Sequence, residues 1–430
     1  MNPVAAAEAR RVFLFLQGPS SSLFYKTAAH LEAAGHTCLR VNLNVGDWLF
    51  WRRHGGLNYR GRLSDWPAYI EKLLASRYVT DLVLLGEERP YHRIAVDLAK
   101  SKDIAVTVIE MGYLRPDWIT VERDGMSSNS RFPNDPRQIR QAALGLPSIK
   151  NEIQYRQSFF VECLFDLSYN LPNVFLPWFY PNFERHGIFH PLIEYAGWIR
   201  RLAVGRLAQQ QAKELMSRLT KEGSRYFVYT LQLETDYQLR SHSPFPDQES
   251  AIEMVLCSFA SNAPPDTEII VKVHPLDNGL RNWKNLVTLY ADRFGIKQRV
   301  SYLDGGDLEF LLDGTLGIVC VNSTAALIGL RKGIQVKVLG SAIYDIEGIT
   351  HQASLDSFWS TPEVPDPLTT AAFFNLLAAS IQERGNFYSR EGTNAASRAV
   401  ARRLIDGLLN YPGGDCGYVP RARPIKTQGR

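Results

Sequence analysis

Short apolar runs alternate with helical patterns in the first part of the chain. Helices are predicted at about 22–34, where Gly35 marks the end, and at about 91–101. The apolar runs have the length of buried strands and are Val12–Leu16, Leu39–Leu43, Leu82–Leu85 and Ala105–Ile109. Because strands that alternate with helices form parallel sheets covered on both faces, this part predicts a Rossmann-like α/β domain.

The pattern changes near residue 135 and changes back after Gly223. The segment at about 135–218 has long helical stretches rich in aromatic residues, interrupted by two prolines within 173–181. The strand–helix alternation then resumes with the runs Tyr226–Tyr229, Ile269–Val273, Val300–Leu303, Gly317–Val321 and Val336–Leu339. The predicted divisions are an N-terminal Rossmann-like domain at 1–135, a helical bridge at 136–220, a second Rossmann-like domain at 221–365, and C-terminal helices with a tail at 366–430.

Composition and charge exclude several classes of protein. With 45% hydrophobic and 21% charged residues among 430, the chain has the composition of a folded protein, and a net charge of +4 excludes a strongly basic nucleic-acid binder. The N-terminus lacks the apolar core of a signal peptide, and no uncharged apolar run reaches about 18 residues. The cysteines have the spacing of neither a zinc site nor a disulfide framework: Cys38, Cys163, Cys257, Cys320 and Cys416. We therefore expect a cytoplasmic protein with reduced thiols.

A first candidate motif, Gln17-Gly18-Pro19, follows the first apolar run. Glycine permits close approach of a ligand to the backbone, and the helix that follows presents N–H groups suited to an anion. The alternative is a plain strand–helix turn. The segment 86–92, which ends a neighbouring run with two glutamates and a histidine, has the same two interpretations.

A second motif begins at Glu110, after the run that ends at Ile109. A carboxylate at this place is suited to general acid–base catalysis, and Gly112 would let a substrate approach the backbone. Arg115 has the planar guanidinium that pairs with a carboxylate in a bidentate fork. A strand-end salt bridge is the structural alternative.

Three further motifs follow apolar runs in the second half. Gln232 and Asp236 belong to one loop that leads to Arg240, and acid, base and hydroxyl groups are dense there. Lys272, His274 and Pro275 end the run at 269–273, where a lysine and a histidine can hold a phosphate and stabilise charge on a leaving nucleotide. Residues Asn322, Ser323 and Thr324 open a predicted helix, where they are suited to capping, to phosphate binding, or to both.

In this order the motifs resemble those of the bacterial capsule polysaccharide β-Kdo transferases, in particular the KpsS type. Kdo is an eight-carbon acidic sugar. The matching segments are QGP (17–19), GDWLFW (46–51), EMGYLRPDWIT (110–120), QLETD (232–236), KVHP (272–275) and VNSTAALIGLRKGIQVKVLGSAIYDIEGIT (321–350). Two α/β halves with a helical bridge also resemble the GT-B architecture. The predicted fold class is therefore α/β and GT-B-like, with two Rossmann-like domains that face a cleft.

The resemblance implies a retaining transferase that takes Kdo from CMP-β-Kdo. Asp236 stands where related enzymes have the residue associated with attack on the anomeric carbon, and Glu110 where they have the residue associated with acid–base work on the acceptor hydroxyl. His274 is the third catalytic candidate. Met111 is a departure, because many relatives have a second acidic residue there. The residues expected to bind CMP are Lys272, His274, Pro275, Asn322, Ser323, Thr324 and Tyr344, and those expected to bind the remaining substrate groups are Gln17, Gly18, Pro19, Arg115, Gln232 and Arg240.

No metal or other cofactor is expected. The chain contains no Asp-x-Asp pair, which many transferases use to hold a metal against two phosphates, and a CMP-sugar has only one phosphate. The implied acceptor is phosphatidylglycerol or its lyso form, so the protein is expected at the inner surface of the cytoplasmic membrane, with other capsule-assembly proteins as further candidate partners and no nucleic acid.

Two segments combine aromatic residues with positive charge, as an anionic membrane interface favours. One is 48–53, with Trp48, Trp51, Arg52 and Arg53. The other comprises 178–180 with Trp198, Arg200 and Arg201. Internal packing of these aromatics, or an acceptor groove, is the alternative.

Two rival functions remain open at the level of sequence. One is a GT-B transferase for another nucleotide sugar or for a different Kdo linkage, which turnover with a UDP-sugar would select. The other is a non-catalytic scaffold in capsule assembly, which CMP binding without turnover would support.

Overall fold

The computed structural model describes residues 10–150, 152–414, 421 and 423–426, with the backbone alone at residue 238. Cys416, one of the predicted thiols, lies outside the described residues. The described cysteines are free thiols, as their spacing predicts, namely Cys38, Cys163, Cys257 and Cys320.

Strands and helices alternate through most of the described chain. The strands are β1 (Val12–Phe15), β2 (Thr37–Asn42), β3 (Gly56–Asn58), β4 (Asp81–Leu85), β5 (Ala105–Met111), β6 (Trp118–Arg123), β7 (Arg225–Thr230), β8 (Thr267–Lys272), β9 (Val300–Leu303), β10 (Thr315–Cys320), β11 (Val336–Val338) and β12 (Gln382–Arg384). The α-helices are α1 (Leu23–Ala33), α2 (Val45–Leu49), α3 (Trp66–Ser76), α4 (Pro90–Lys100), α5 (Pro136–Ala142), α6 (Phe159–Phe175), α7 (Pro191–Glu222), α8 (Tyr237–Ser241), α9 (Gln248–Asn262), α10 (Trp283–Arg293), α11 (Leu308–Leu312), α12 (Ala325–Arg331), α13 (Leu355–Phe358), α14 (Pro367–Ser380) and α15 (Arg390–Ile405). Each apolar run predicted to be a strand overlaps one of these strands.

The first sheet has the order β12-β6-β5-β4-β1-β2-β3. Strands β1 to β5 pair in parallel, and β6 pairs antiparallel with both β5 and β12. One face of β1 contributes Phe13 and Phe15 to a core that also contains Phe24 of α1 and Leu404 of α15. These side chains are fully buried because the helices cover that face.

The second sheet has the order β11-β10-β7-β8-β9, and all of its pairs are parallel. Its core joins Phe227 of β7 to Phe259 of α9 and to Trp359, which follows α13. The rings of Phe227 and Phe259 both meet the Trp359 indole edge to face, at centroid distances of 5.1 and 5.2 Å. The two separate, largely parallel sheets confirm the predicted α/β class with two Rossmann-like halves.

The chain divides into two compact units, each assembled from several segments. The first contains the described residues of Met1–Phe132, Pro147–His186 and Leu376–Tyr418, and the second those of Pro133–Leu146, Gly187–Asn375 and Val419–Arg430. The sequence instead predicted four consecutive divisions. The difference has a structural origin: α6 and α7, expected to form one bridge, belong to different units, and the last part of the chain returns to complete the first sheet with β12.

Each sheet has a point at which the chain's progression across it reverses. In the first sheet β2 and β3 extend to one side of β1, and β4 to β6 extend to the other. In the second sheet β8 and β9 extend to one side of β7, and β10 and β11 to the other. Such a switch point leaves a crevice at the carboxyl ends of the two central strands, where ligands of α/β proteins bind.

Among the described residues, no helix is both long enough and apolar enough to cross a membrane.

Candidate active site

At the switch point of the second sheet, the loops after β7 and β10 are joined by a reciprocal pair of amide side chains. Gln232 follows β7 and Asn322 follows β10. The Gln232 Nε2 donates to the Asn322 Oδ1 at 2.7 Å, and the Asn322 backbone N–H donates to the Gln232 Oε1 at 2.9 Å. Both residues are buried. The sequence predicted both at the site, and the structure brings them together as the link between two motif loops.

Asp236 lies four residues after Gln232, at the start of α8. Its backbone N–H donates to the Leu233 carbonyl at 3.0 Å, and its carbonyl accepts from the Arg240 N–H at 3.1 Å. The carboxylate is therefore carried by a tight turn that enters a helix. The Arg240 guanidinium lies 4.7 Å from the centroid of the Tyr237 ring, which holds the arginine along the same short helix.

His274 and Pro275 form a turn directly after β8, the strand next to β7. The His274 Nδ1 accepts the Leu276 backbone N–H at 3.1 Å, and the His274 carbonyl accepts the Asp277 N–H at 3.0 Å. Because Nδ1 acts as an acceptor, a neutral His274 ring has its proton on Nε2. Pro275 is exposed at the surface of this turn.

Lys272 is the last residue of β8, two positions before His274. Its side chain is buried, and its Nζ donates to the Val273 carbonyl at 3.1 Å. Burial lowers the pKa of Lys272, and the nearby Asp304 carboxylate opposes that effect. The sequence places this lysine correctly at the end of β8, and the structure adds that its side chain is buried there.

The loop that follows His274 is braced by α7. The Arg201 guanidinium contacts Asp304 at 2.6 Å and Asp277 at 3.7 Å. The Asp277 carboxylate also accepts from the Gly279 N–H at 2.8 Å and from the Trp283 Nε1 at 3.1 Å. A side chain at Gly197 of α7 would lie 2.7 Å from the Asn278 carbonyl oxygen, so this glycine permits the close contact. Arg201, a member of the second candidate membrane segment, is engaged in this bracing.

The residues after β10 are tied down by their own backbone and by Tyr344. The Ser323 Oγ accepts from the Ala325 N–H at 3.2 Å, and the buried Tyr344 hydroxyl donates to the Ser323 carbonyl at 2.6 Å. Tyr344 therefore holds the loop of Asn322, Ser323 and Thr324 in place. The helix that this loop opens, α12, has seven residues.

His242 and Gln248 are members of this site that the sequence did not single out. The His242 carbonyl accepts from the Ser341 N–H at 2.8 Å and from the Asn322 Nδ2 at 3.3 Å. The Gln248 Oε1 accepts from the Gln232 N–H at 2.9 Å. Both side chains are buried; His242 lies in the loop whose polar density was noted in the sequence, and Gln248 is the first residue of α9. The many polar residues of this loop were the available signal in the sequence. That signal does not tell which of them hold the other residues of the site by hydrogen bonds.

In the first unit, Gln17 is part of a buried network. Its Nε2 donates to the Tyr169 hydroxyl at 3.1 Å, and that hydroxyl donates to Asp47 at 3.0 Å. The Asn44 Nδ2 also donates to the Tyr169 oxygen at 3.0 Å, and Arg40 pairs with Asp47 at 2.9 Å. This network connects the loop after β1 with α2 and α6, so the QGP and GDWLFW motifs belong to one structural assembly.

Two glycines of the predicted motifs are required for packing. A side chain at Gly18 would lie 2.6 Å from the Phe24 ring, and one at Gly46 would lie 2.6 Å from the Tyr169 ring. A side chain at Gly112 would lie 2.3 Å from the Trp118 carbonyl oxygen, so this glycine allows the turn from β5 to β6.

Glu110 lies at the end of β5, next to the switch point of the first sheet. Its Oε1 accepts from the Met111 N–H at 3.0 Å. Its Oε2 lies over Gly86, 3.2 Å from where a side chain there would begin. Glu110 is partly exposed, as proton exchange with a substrate requires. Arg115 is exposed, and its charge lowers the pKa of Glu162, which burial raises more strongly.

The segment 86–92 has a structural role in part. The buried Glu87 Oε1 accepts from the Met126 N–H at 2.7 Å and from the Asn129 Nδ2 at 3.0 Å. Burial raises the pKa of Glu87, and these two hydrogen bonds oppose that effect. His92 is fully buried, its Nδ1 lies 2.7 Å from the Gly86 carbonyl oxygen, and its Nε2 has no partner among the described residues.

His92 should make the protein less stable in mild acid. Burial, with Arg89 adding to it, lowers the pKa of His92 from 6.5 to about 3, so the unfolded chain takes up a proton that the folded chain refuses. The contribution of His92 to the free energy of unfolding is therefore present above about pH 6.5 and is lost as the pH falls toward 3. Between pH 7 and pH 5 the loss is about 2 kcal/mol.

The His92→Asn variant tests this expectation, because its amide can still donate to the Gly86 carbonyl but does not titrate. Urea unfolding of both proteins at pH 7 and pH 5 should show a wild-type loss that exceeds the variant's by about 2 kcal/mol. Equal losses in the two proteins would show that His92 is not the titrating group.

The prediction of an aromatic and basic membrane segment at 48–53 is wrong for two of its residues. Trp51 is 1% exposed and packs against Phe15 in the core. Arg53 forms an ion pair with Glu32 and lies against the Trp51 ring. Trp48 and Arg52 are exposed, with the guanidinium 5.9 Å from the indole centroid.

Comparison with known proteins agrees with the motifs. Residues 80–388 match the family described as capsule polysaccharide biosynthesis protein. The chain is 30% identical over 378 residues to the capsule polysaccharide export protein KpsS of Escherichia coli, an alignment that covers 87% of this chain and 96% of that protein. It is 31% identical over 405 residues to the capsule polysaccharide modification protein LipB of Neisseria meningitidis serogroup A, covering 89% and 93%.

Among solved structures, the β-Kdo 2,7 transferase KpsC of Thermosulfurimonas dismutans aligns with 92% of this chain and 99% of its own, at 12% identity and a TM-score of 0.45. The family match and the two sequence relatives establish the class of this α/β protein. The chain belongs to the capsule polysaccharide biosynthesis protein family. The resemblance predicted from the motifs is thereby confirmed.

Proposed function

We propose that this chain is a retaining β-Kdo glycosyltransferase. It transfers Kdo from CMP-β-Kdo to phosphatidylglycerol or lysophosphatidylglycerol and so starts the lipid terminus of a capsular polysaccharide. The observation that carries the proposal is the convergence of three motif loops at one sheet edge, after the adjacent strands β10, β7 and β8. The hydrogen-bonded pair of Gln232 and Asn322 joins two of these loops directly.

The donor nucleotide is proposed to bind at this edge. The His274 turn and the buried charge of Lys272 supply positive potential for the single phosphate of CMP, and Ser323 and Thr324 supply hydroxyl donors. Tyr344 and Pro275 act by fixing the shape of their loops. These groups are proposed to neutralise the single phosphate charge, so the proposal requires no divalent metal.

Asp236 is proposed as the nucleophile of a two-step transfer. In the first step its carboxylate oxygen bonds to the anomeric carbon of Kdo while the bond from that carbon to the phosphate oxygen breaks, and CMP leaves with the electron pair. In the second step the acceptor hydroxyl oxygen attacks the same carbon, the Asp236 carboxylate is released, and Glu110 accepts the hydroxyl proton. Two inversions at one carbon give retention of configuration.

The residues proposed to bind the acceptor lie mainly in the first unit, and their roles are proposed from the family resemblance. Arg115 is exposed near the acidic group of Glu162 and is proposed, with Arg240 of the second unit, to bind acidic groups of the substrates. Gln17, Gly18 and Pro19 are proposed to shape the acceptor site, with Gln17 held by Tyr169. A lipid acceptor places the protein at the inner face of the cytoplasmic membrane, where other capsule-assembly proteins are proposed partners.

The direct test is turnover. The protein is incubated with CMP-Kdo generated in place and with a panel of phosphatidylglycerol, lysophosphatidylglycerol and phosphatidylethanolamine, and the lipids are analysed by mass spectrometry. We expect one Kdo on a phosphatidylglycerol-type lipid and none in the matched reaction with Asp236→Asn. Turnover with a UDP-sugar alone would select the rival donor, and CMP binding without turnover on any lipid would select the scaffold.

A further inference from the structure

The first half of α7 exposes apolar side chains where a surface helix normally exposes polar ones. Side chains that are between 44% and 69% exposed are Leu192, Ile193, Ile199, Leu202, Val204 and Leu207. Ala196 and Ala203 are exposed between them. We call these eight residues, together with the exposed Arg200 and Arg206, the outer face of α7.

Helical geometry makes this a continuous surface. At 3.6 residues per turn the outer face covers an arc of about 200°, opposite the side where Gly197 and Arg201 contact the loop after His274. The apolar character ends after Leu207, because the exposed residues that follow are Gln209, Gln210, Gln211, Lys213 and Glu214. The apolar part of the helix is thus about 25 Å long at 1.5 Å per residue.

The charge on this face is positive. Arg200 and Arg206 are exposed on it, and Arg200 also donates to the Gly279 carbonyl. From Pro191 to Ala208, all of which the structure describes, no exposed residue is acidic. Glu194 is only partly exposed and lines a pocket of about 170 Å³ with Trp198 and Arg281. A partner for the outer face must therefore bury apolar side chains and tolerate or attract two arginines.

We infer that the outer face of α7 docks onto an anionic phospholipid bilayer, with the helix lying in the plane of the interface. Apolar side chains that enter the acyl boundary and arginines at the headgroups are the arrangement of interfacial helices. A second copy of the chain is a poorer occupant, because a two-fold contact would bring the same arginines of both copies to one interface. The inference rests on the proposed function only for its lipid acceptor.

The position of α7 gives this docking a consequence for the site. The inner side of the same helix contacts the loop after His274 through Arg201 and Gly197. A helix with its side chains is about 10 Å across, so docking brings that loop to within about one helix diameter of the bilayer surface. The proposed donor site would then work next to its lipid acceptor.

The test is binding of the full chain to vesicles of phosphatidylcholine with phosphatidylglycerol, measured by sedimentation. The Ile199→Glu/Leu207→Glu double variant should bind about tenfold more weakly or worse, because it removes two apolar anchors and adds two repelled charges. The matched control, Gln210→Glu/Gln211→Glu, adds the same charge on the same helix but removes no apolar anchor, so it should bind more tightly than the outer-face variant. High salt should weaken wild-type binding by screening the arginines.

Activity and oligomeric state separate the remaining outcomes. Transfer to detergent-dispersed lipid should be the same in wild type and in both variants, so loss of vesicle binding alone supports the docking face while leaving the proposed function untouched. No wild-type binding to the anionic vesicles, or equal binding by the outer-face variant, would overturn the inference. So would a variant that changes from dimer to monomer by light scattering without any change in vesicle binding, because the face would then bind a second copy.

Discussion

Replacing Asp236 with Asn should reduce Kdo transfer on the order of 10⁴-fold while CMP binding stays within about twofold of wild type. The asparagine keeps the size of the side chain and the backbone turn that enters α8, but its amide cannot form a glycosyl ester. CMP contacts are assigned to the loops after β8 and β10, so the nucleotide should still bind. Turnover is measured with CMP-Kdo and lipid, and binding by calorimetry with CMP.

Glu234→Gln is the matched control for Asp236→Asn. It removes one carboxylate charge from the same loop, two residues earlier, where Glu234 pairs with Arg281 at 3.0 Å. We expect less than about tenfold loss of activity, since this pair is near the surface. If both variants lost activity equally, the effect would come from the charge of the loop, and Asp236 would have no separate chemical role. If Asp236→Asn turned over at the wild-type rate, Asp236 would be excluded as the nucleophile.

Replacing His274 should weaken CMP binding by about ten- to a hundredfold, because a charge-assisted contact to phosphate contributes roughly 1.5–3 kcal/mol. His274→Asn is the sharper variant, since its side-chain oxygen can accept the Leu276 N–H as Nδ1 does and so preserve the turn. Loss of binding in both His274→Ala and His274→Asn assigns the effect to the ring nitrogen Nε2. Calorimetry with CMP provides the measurement.

The control for His274 is His190, which makes a similar bond with its Nδ1 to the backbone N–H two residues later, that of Leu192, at 3.4 Å. This histidine is exposed at the start of α7, and His190→Ala should bind CMP as wild type does. If His274→Asn bound CMP normally and only His274→Ala were weak, His274 would be a residue of the turn.

The parallel strands and the motif loops could be predicted from the sequence because both are local features. An apolar run such as that of β7 defines a buried strand by itself, and the residue after it must lie at the sheet edge. The strand order, and with it the meeting of Gln232 with Asn322, is not local. These residues are 90 positions apart, and only the placement of β10 next to β7 brings their side chains together.

The β12 edge of the first sheet was not predicted, because β12 is short and lies far along the chain from the other strands of that sheet. β12 has three residues and pairs antiparallel with β6. The Gln382 Oε1 accepts from the Tyr113 N–H at 2.9 Å, and its Nε2 donates to the Thr120 hydroxyl at 2.9 Å. The Gln-Glu-Arg sequence of β12 contains no apolar run, so this return of the chain has no signal of its own.

The exposure expected of Trp51 and Arg53 was wrong for a physical reason. An aromatic residue next to arginines has the same sequence pattern whether the pair is exposed or buried, and Trp51 with Arg53 forms a cation–π contact in the interior. Of the outer face of α7, the sequence singled out only Arg200, because leucines, isoleucines and valines at helical spacing predict a buried face. Only the exposure of those side chains distinguishes the two cases.

The most direct test of the central claim, transfer of Kdo through Asp236, is peptide mass spectrometry of the protein after incubation with CMP-Kdo. The Glu110→Gln variant is used without lipid so that the second step is slow and the adduct accumulates. The account predicts one Kdo on the peptide of the Glu110→Gln variant that contains Asp236. The same adduct on the wild-type protein should be lost when lysophosphatidylglycerol is added. Product formation by the wild type with no adduct in either protein, or with the sugar on another residue, would contradict it.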